Sequence, residues 1–190
     1  RILLNPGDIN LPVDAPTVGI PMALPFHEAL PFWREFFTSL GMRVVLSEIG
    51  KETLQKGMEA IVAETCFPVE IAHGHVIDLI QKGVDYIFLP SIADHPEGES
   101  GNCYCPYIQA IPYTISSAID IKVKLLTPVI RHSIGKRRIE KALLGMAREA
   151  GIKGDVRSAL KAGISAQESF YEGLRKRGKE LLDGMDVSEK

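Results

Sequence analysis

Cysteine is scarce in this sequence of 190 residues, and only three are present. An odd number of cysteines cannot pair completely into disulfide bonds, and two of the three are separated by a single residue. Thiols used so sparingly are more typical of a reducing compartment, where they are free, bound to metal or catalytic. We therefore expect a cytoplasmic protein.

Long hydrophobic runs and a large excess of one charge are also absent. No apolar run approaches the roughly 18 residues that span a bilayer, so we predict no membrane helix. The formal net charge of −2 gives no electrostatic reason to expect nucleic acid or an anionic membrane as a partner. The chain begins at Arg1 rather than at methionine, which leaves a missing N-terminal segment, and a targeting peptide within it, as an open alternative.

Common catalytic and phosphate-binding motifs are missing as well. There is no GxGxxG or GxxxxGK[ST] segment to hold a phosphate, and no GxSxG turn to carry a nucleophilic serine. The acidic residues near the cysteines, Glu64, Asp94 and Glu99, are more typical of capping or solvated carboxylates than of an acid/base pair. The sequence shows no independent catalytic constellation, and whether the chain is an enzyme stays open.

Short apolar segments alternate with amphipathic segments along the chain. The pattern predicts strands at 17–23, 42–48, 84–92 and 121–130, and helices at 30–41, 51–64, 68–81, from 106 onward, 136–149 and 155–182. Strands that alternate with helices favour right-handed crossovers and a parallel sheet covered on both faces. We predict a doubly wound (Rossmann- or flavodoxin-like) α/β fold with four parallel strands in the order 2-1-3-4, flanking helices and extra C-terminal helices.

The three cysteines stand near predicted helix starts. Cys66 lies two residues before Pro68, and Cys105 directly precedes Pro106. A helix N-terminus stabilises a thiolate through its dipole and its free backbone N–H groups. Parallel sheets bind ligands at the carboxyl ends of their strands, where the loop with Cys103 and Cys105 should emerge. We expect Cys66 to reach the same rim.

Other interpretations of these residues stay open. Cysteines are often buried small hydrophobic residues, and this alternative is strongest for Cys66. His73 and His75, two apart on a predicted helix, point about 200° away from each other and cannot share one ion. They are more typical of a packing or capping pair, but one of them could add a fourth ligand to three cysteines. Such a set would hold zinc.

Three ordered segments carry a resemblance to a known family. They are VGIPMALPFHEALPFWREFFTSLGMRVVLS, ETCFPVEIAHGHVIDLIQKGVDYIFLPSI and NCYCPYIQAIPY. They resemble the 2-hydroxyglutaryl-CoA dehydratase activase-related family, an uncharacterised domain that occurs alone or fused behind acyl-CoA dehydratase activases and is related to the dehydratase subunits and the double-cubane cluster proteins. Cys66 matches the cysteine of its E-x-C-x-P segment, and Cys105 matches its cysteine before proline.

This resemblance implies an iron–sulfur protein that accepts low-potential electrons from an ATP-dependent activase protein or domain. The implied cofactor is a [4Fe–4S] or double-cubane-type cluster, with zinc as the alternative. Cys66, Cys103 and Cys105 are the candidate ligands, with His75 as a candidate fourth ligand. An acyl-CoA substrate and a homodimer are left open, and so is a third cysteine ligand beyond Lys190 in place of Cys103.

The same reasoning divides the chain into three parts. We assign residues 1–16 to an N-terminal extension, 17–150 to an α/β cluster-binding domain, and 151–190 to a C-terminal helical segment that leads into a missing second domain. A hypothesis from a different class competes with electron transfer. The chain would then be a non-catalytic scaffold or docking module with a zinc-bound or empty cysteine site.

Overall fold

A four-stranded parallel sheet forms the centre of the molecule. The computed structural model describes residues 11–95 and 102–184; parts of the predicted N-terminal extension, of the loop before Cys103 and of the C-terminal segment lie outside these described residues. The strands are β1 (Thr17–Ile20), β2 (Arg43–Leu46), β3 (Tyr86–Phe88), β4 (Ser91–Ile92), β5 (Lys124–Leu126) and β6 (Val129–Ile130).

Helices cover both faces of the sheet. They are α1 (Leu30–Ser39), α2 (Lys51–Ala60), α3 (Phe67–Gln81), α4 (Pro106–Ala118), α5 (Lys136–Ala150) and α6 (Val156–Asp183), with short 3₁₀ turns at Leu24–Phe26 and His132–Ile134. Among the described helices, none is both long and apolar enough to cross a lipid bilayer.

The strand order is β2-β1-β3-β5, and all neighbouring strands are parallel. This confirms the predicted doubly wound α/β fold and its strand order. Right-handed crossovers place α1 on one face of the sheet and α2, α3 and α4 on the other. Helix α6 packs along α1, and α5 packs on β5 and β6, so the C-terminal helices extend the layer of α1.

Two predicted strands are divided where a proline interrupts them. The segment predicted at 84–92 forms β3 and β4, and the segment at 121–130 forms β5 and β6, with β4 and β6 paired in a second, two-stranded parallel sheet. Pro90 and Pro128 lie at the two breaks. Pro128 has no N–H group to donate at its inward position, so one bond of the ladder is missing there. The N–H groups of Leu89 and Ser91 still donate to the carbonyls of Leu126 and Pro128, and the direction of the chain is kept.

The aromatic residues of α1 pack against the sheet, as their helical spacing predicts. The ring of Phe88 in β3 lies 4.4 Å from Trp33 and 5.0 Å from Phe37, measured between ring centroids. These residues are buried, with Phe36 beside them. Tilted and edge-to-face contacts of this kind add to the free energy of burying the rings.

On the other face, α2 and α3 pack so closely that two glycines are required. A Cβ atom on Gly74 would lie 1.9 Å from the carbonyl oxygen of Thr53, and a Cβ atom on Gly57 would lie 2.5 Å from that of Glu70. The two backbones can approach this closely only because Gly74 and Gly57 have no side chain. The contact fixes the position of α3, and with it the segment that carries Cys66.

Candidate functional site

Cys66 and Cys105 are the N-cap residues of α3 and α4. Each has extended or near-extended backbone, and neither side chain makes a capping hydrogen bond. Their carbonyl groups accept the first bonds of the helices, from the N–H groups of Val69 and Ile108, both at 2.9 Å. Both thiols are free and exposed to solvent.

The topology places these two cysteines at the same edge of the sheet. Helix α3 leads into the beginning of β3, and α4 leads into the beginning of β5, so both helices start at the carboxyl edge. The two crossovers run in the same direction, from β2 to β3 and from β3 to β5, which puts both helices on one face. Helices α3 and α4 are in contact, and Cys66 and Cys105 therefore begin adjacent helices.

Cys103 lies beside the residues that follow β4. It forms an isolated antiparallel bridge with Asp94, and the N–H group of Tyr104 donates to the carbonyl of Ala93 at 2.9 Å. Its thiol is also free and exposed. Within the described residues, no group of three or more His, Cys, Asp or Glu side chains is assembled that could hold a metal ion. The assignment of the three cysteines as ligands of one metal centre stays a prediction.

His73 and His75 are both buried in α3, each 3% exposed. The Nδ1 atom of His73 lies 2.9 Å from the carbonyl oxygen of Val69. Because a carbonyl only accepts, the proton of His73 must be on Nδ1. The Nδ1 atom of His75 lies 2.8 Å from Ser47 Oγ. The interpretation of the two histidines as packing residues agrees with this burial, and a role for His75 as fourth ligand stays a prediction.

Burial lowers the pKa of His75 to about 4, with a smaller contribution in the same direction from His27. Burial also lowers the pKa of His27 itself. Ser47 Oγ accepts a further hydrogen bond from the N–H group of Met22 at 2.7 Å. The hydroxyl thus connects the loop after β1, the end of β2 and helix α3, in a network that holds a neutral imidazole at neutral pH.

Asp94 is buried at the carboxyl edge of the sheet, where its carboxylate caps the second 3₁₀ turn. Its oxygens accept hydrogen bonds from the backbone N–H groups of His132 and Ser133, the latter at 3.0 Å. Burial acts to raise the pKa of Asp94, but hydrogen bonds from Ser133 and His132 outweigh it and hold that pKa below its ordinary value. Asp94 is therefore an ionised carboxylate that caps backbone N–H groups, which agrees with the capping alternative, and Glu99 lies outside the described residues.

A polar cluster beside Cys103 and Cys105 was not predicted from the sequence. Glu28 Oε1 accepts a hydrogen bond from the hydroxyl of Tyr171 at 2.9 Å and lies 3.5 Å from His95 Nε2. The ring of His95 contacts the ring of Tyr104 edge to face, with 6.0 Å between centroids. Burial, and next the charge of Glu28, raise the pKa of Tyr104. The sequence gives one local signal of this cluster, which is the position of Tyr104 between Cys103 and Cys105.

These features define a doubly wound α/β protein with exposed thiols and buried polar side chains at the carboxyl edge of its sheet. Residues 17–190 match the family described as the CoA enzyme activase uncharacterised domain (DUF2229), and the chain belongs to that family. The match confirms the activase-related resemblance and extends it through α6. Comparisons with curated proteins and with solved structures gave no significant match.

Proposed function

We propose that this chain is an iron–sulfur cluster-binding electron-transfer protein of the 2-hydroxyacyl-CoA dehydratase/activase system, and that it accepts low-potential electrons from an ATP-dependent activase. Membership of a CoA enzyme activase-related family supports the association with that system. The observation that carries the proposal is the arrangement of Cys66 and Cys105. Both are exposed, and they begin adjacent helices at one edge of the sheet.

The exposed thiols of the three cysteines are the type of ligand that an iron–sulfur cluster requires. Clusters are held by cysteine thiolates, and hydrogen bonds to their sulfur atoms tune the reduction potential. Thr65, next to Cys66, has a buried hydroxyl with no hydrogen-bond partner among the described residues, so it is available to donate to sulfur. The three cysteines supply three of the four ligands that a cubane commonly takes. His75 is the candidate for the fourth ligand.

When bound, a cluster of this type takes up and releases single electrons at low potential. The residues of this chain would hold it at the rim of the sheet, close to solvent. Phe67 and Tyr107, each next to the start of its helix, are 53% and 45% exposed. Large apolar side chains exposed beside a site are typical of protein interaction surfaces. We therefore assign them to the surface that receives the activase.

Anaerobic reconstitution tests the proposal. The full chain would be purified without oxygen and incubated with ferrous iron and sulfide, then desalted. We expect brown protein that retains iron and acid-labile sulfide in equal amounts and gives a paramagnetic signal after reduction with dithionite. The matched control is the Cys66→Ser/Cys103→Ser/Cys105→Ser variant, carried through the same steps. Colourless wild-type protein that instead retains stoichiometric zinc would contradict electron transfer and support a docking module with a zinc site.

A further inference from the structure

The last strand of each sheet forms one continuous edge, from Lys124 to Arg131. Strand β5 pairs only with β3, and β6 only with β4, among the described residues. The carbonyl groups of Leu126, Pro128 and Ile130 all point into the sheets, where they accept hydrogen bonds at 2.9, 3.0 and 2.9 Å. Every second residue of this segment is thus hydrogen-bonded to the neighbouring strand.

The intervening residues, Leu125, Thr127 and Val129, face the other way. Because the N–H and C=O groups of a strand residue point to the same side and alternate along the strand, theirs point outward. They have no hydrogen-bond partner in the part of the chain that the structure describes. Proline often blocks an edge strand, but Pro128 occupies an inward position and leaves the outward donors intact.

An open groove lies between this edge and helix α5. Its apolar lining includes Leu125, Val129 and Ile134. Its basic residues are Lys124, Arg131, Arg138 and Lys141. The single acidic residue of the described lining is Glu149, whose backbone carbonyl accepts a hydrogen bond from Lys124 Nζ at 2.9 Å. The groove therefore carries a clear excess of positive charge beside an unpaired strand.

The start of α5 adds to this positive charge. Its first turn contains Lys136, Arg137 and Arg138, with no acidic residue and no side-chain cap. The N-terminus of a helix already carries a partial positive charge, which basic side chains reinforce at a cost in free energy. An acidic ligand in the groove would relieve this repulsion.

We propose that the edge formed by β5 and β6 binds an extended acidic segment of a partner protein, which adds to the sheet as a further strand. The outward N–H and C=O groups match the spacing of another polypeptide backbone, and the basic side chains match acidic residues on it. Nucleic acid offers no such backbone pattern. None of the three cysteines lines the groove, and the proposal does not depend on the proposed electron transfer.

Gly145 allows the groove to be filled without disturbing the fold. A Cβ atom on Gly145 would meet nothing within 4 Å, although the residue lines the groove. Gly173 in α6 is equally open and lies outside the groove lining, which makes it a matched control. Gly145→Leu should block the groove, whereas Gly173→Leu should not. Thermal unfolding would verify that both variants fold.

The probe is a fluorescein-labelled peptide of about ten residues that alternates glutamate with valine, the length of a long strand. Fluorescence anisotropy with the full chain should show saturable binding that weakens at least about tenfold in Gly145→Leu and stays within about twofold in Gly173→Leu. A peptide N-methylated at every residue, which has no N–H group on either side to complete the ladder, should also lose at least about tenfold. Undetectable binding at about 1 mM would overturn the proposal.

Amide hydrogen exchange gives a residue-level readout of the same complex. Exchange at the N–H groups of Thr127 and Val129 should slow when the peptide binds, while that of the inward-facing Leu126 should not change. Equal affinity for the N-methylated peptide, or for the Gly145→Leu variant, would contradict addition of a strand. Stronger competition by a DNA duplex than by unlabelled peptide would also overturn the proposal, in favour of a nucleic-acid ligand.

Discussion

The side chains of Ser47 and His75 are hydrogen-bonded at the carboxyl edge of the sheet, with 2.8 Å between Ser47 Oγ and His75 Nδ1. Ser47 follows β2, and His75 lies in the helix that begins after Cys66. The N–H group of Met22 donates to the same hydroxyl. One buried oxygen therefore joins three segments of the chain around the candidate site.

Removal of this hydroxyl should destabilise the fold. In Ser47→Ala the N–H group of Met22 and the ring nitrogen of His75 lose their partner while buried, and the free energy of unfolding should fall by about 1–3 kcal/mol. Urea unfolding would measure it. Ser39→Ala is the control, because the Ser39 hydroxyl is exposed and donates to Glu35 on the same helix; its effect should stay within about 0.5 kcal/mol. Equal losses would contradict the role of Ser47.

The buried His75 should make stability depend on pH. Its pKa is about 4 in the folded chain, below the ordinary value of 6.5, so the unfolded chain takes up the proton first. Stability is then full above pH ~6.5 and falls as the pH is lowered toward 4, by about 2 kcal/mol at pH 5.

His75→Asn isolates this contribution. The amide keeps a polar atom near Nδ1 but does not titrate, so the loss of stability between pH 7 and pH 5 should be smaller than in the wild type. Burial lowers the pKa of His27 and His132 as well, and both residues remain in the two proteins, so the effect of their burial is common to both. Urea unfolding at both pH values would measure the difference. Identical pH dependence would show that His75 does not titrate as described.

Two glycines inside helices should respond oppositely to the same substitution. Gly74→Ala would place a Cβ atom against the backbone of Thr53, which cannot move without separating α2 from α3, and should cost at least about 3 kcal/mol. Gly145→Ala meets open space and should stabilise the chain by about 0.5–1 kcal/mol, since alanine favours the helix. Thermal unfolding would rank the variants. A tolerated Gly74→Ala would contradict the close helix contact.

Single cysteine variants test the ligand assignment after anaerobic reconstitution. Cys66→Ser and Cys105→Ser should each lose most of the bound iron, because a hydroxyl is a far poorer ligand than a thiolate. Both thiols are exposed, so the free energy of unfolding should change by less than about 1 kcal/mol. Loss of iron in Cys103→Ser would make Cys103 the third ligand. Full iron content in both Cys66→Ser and Cys105→Ser would contradict the proposed function.

The predicted strand order is confirmed, and it is one of the few orders that the alternation of strands and helices allows. Helix α1, the pair α2 and α3, and helix α4 each lie between segments of strong strand character, and a right-handed crossover leaves few arrangements of such units. The prolines at positions 68 and 106 marked the helix starts correctly, since proline fits the first turn. The break at Pro128 was not predicted, because whether a strand ends at proline depends on the neighbouring strand that would accept its missing hydrogen bond.

The sequence by itself determined the fold class and the places where Cys66 and Cys105 cap their helices, because these depend on neighbouring residues and on the period of apolar positions. The family came from the resemblance of three ordered segments, which the family match confirms. Only the tertiary structure decided which polar side chains meet. Glu28 and Tyr171 are 143 residues apart, and Ser47 and His75 are 28 apart. No local pattern links such pairs, because their contact arises from the crossing of strands and helices. The close approach at Gly74 was decided in the same way, by the packing of α2 against α3.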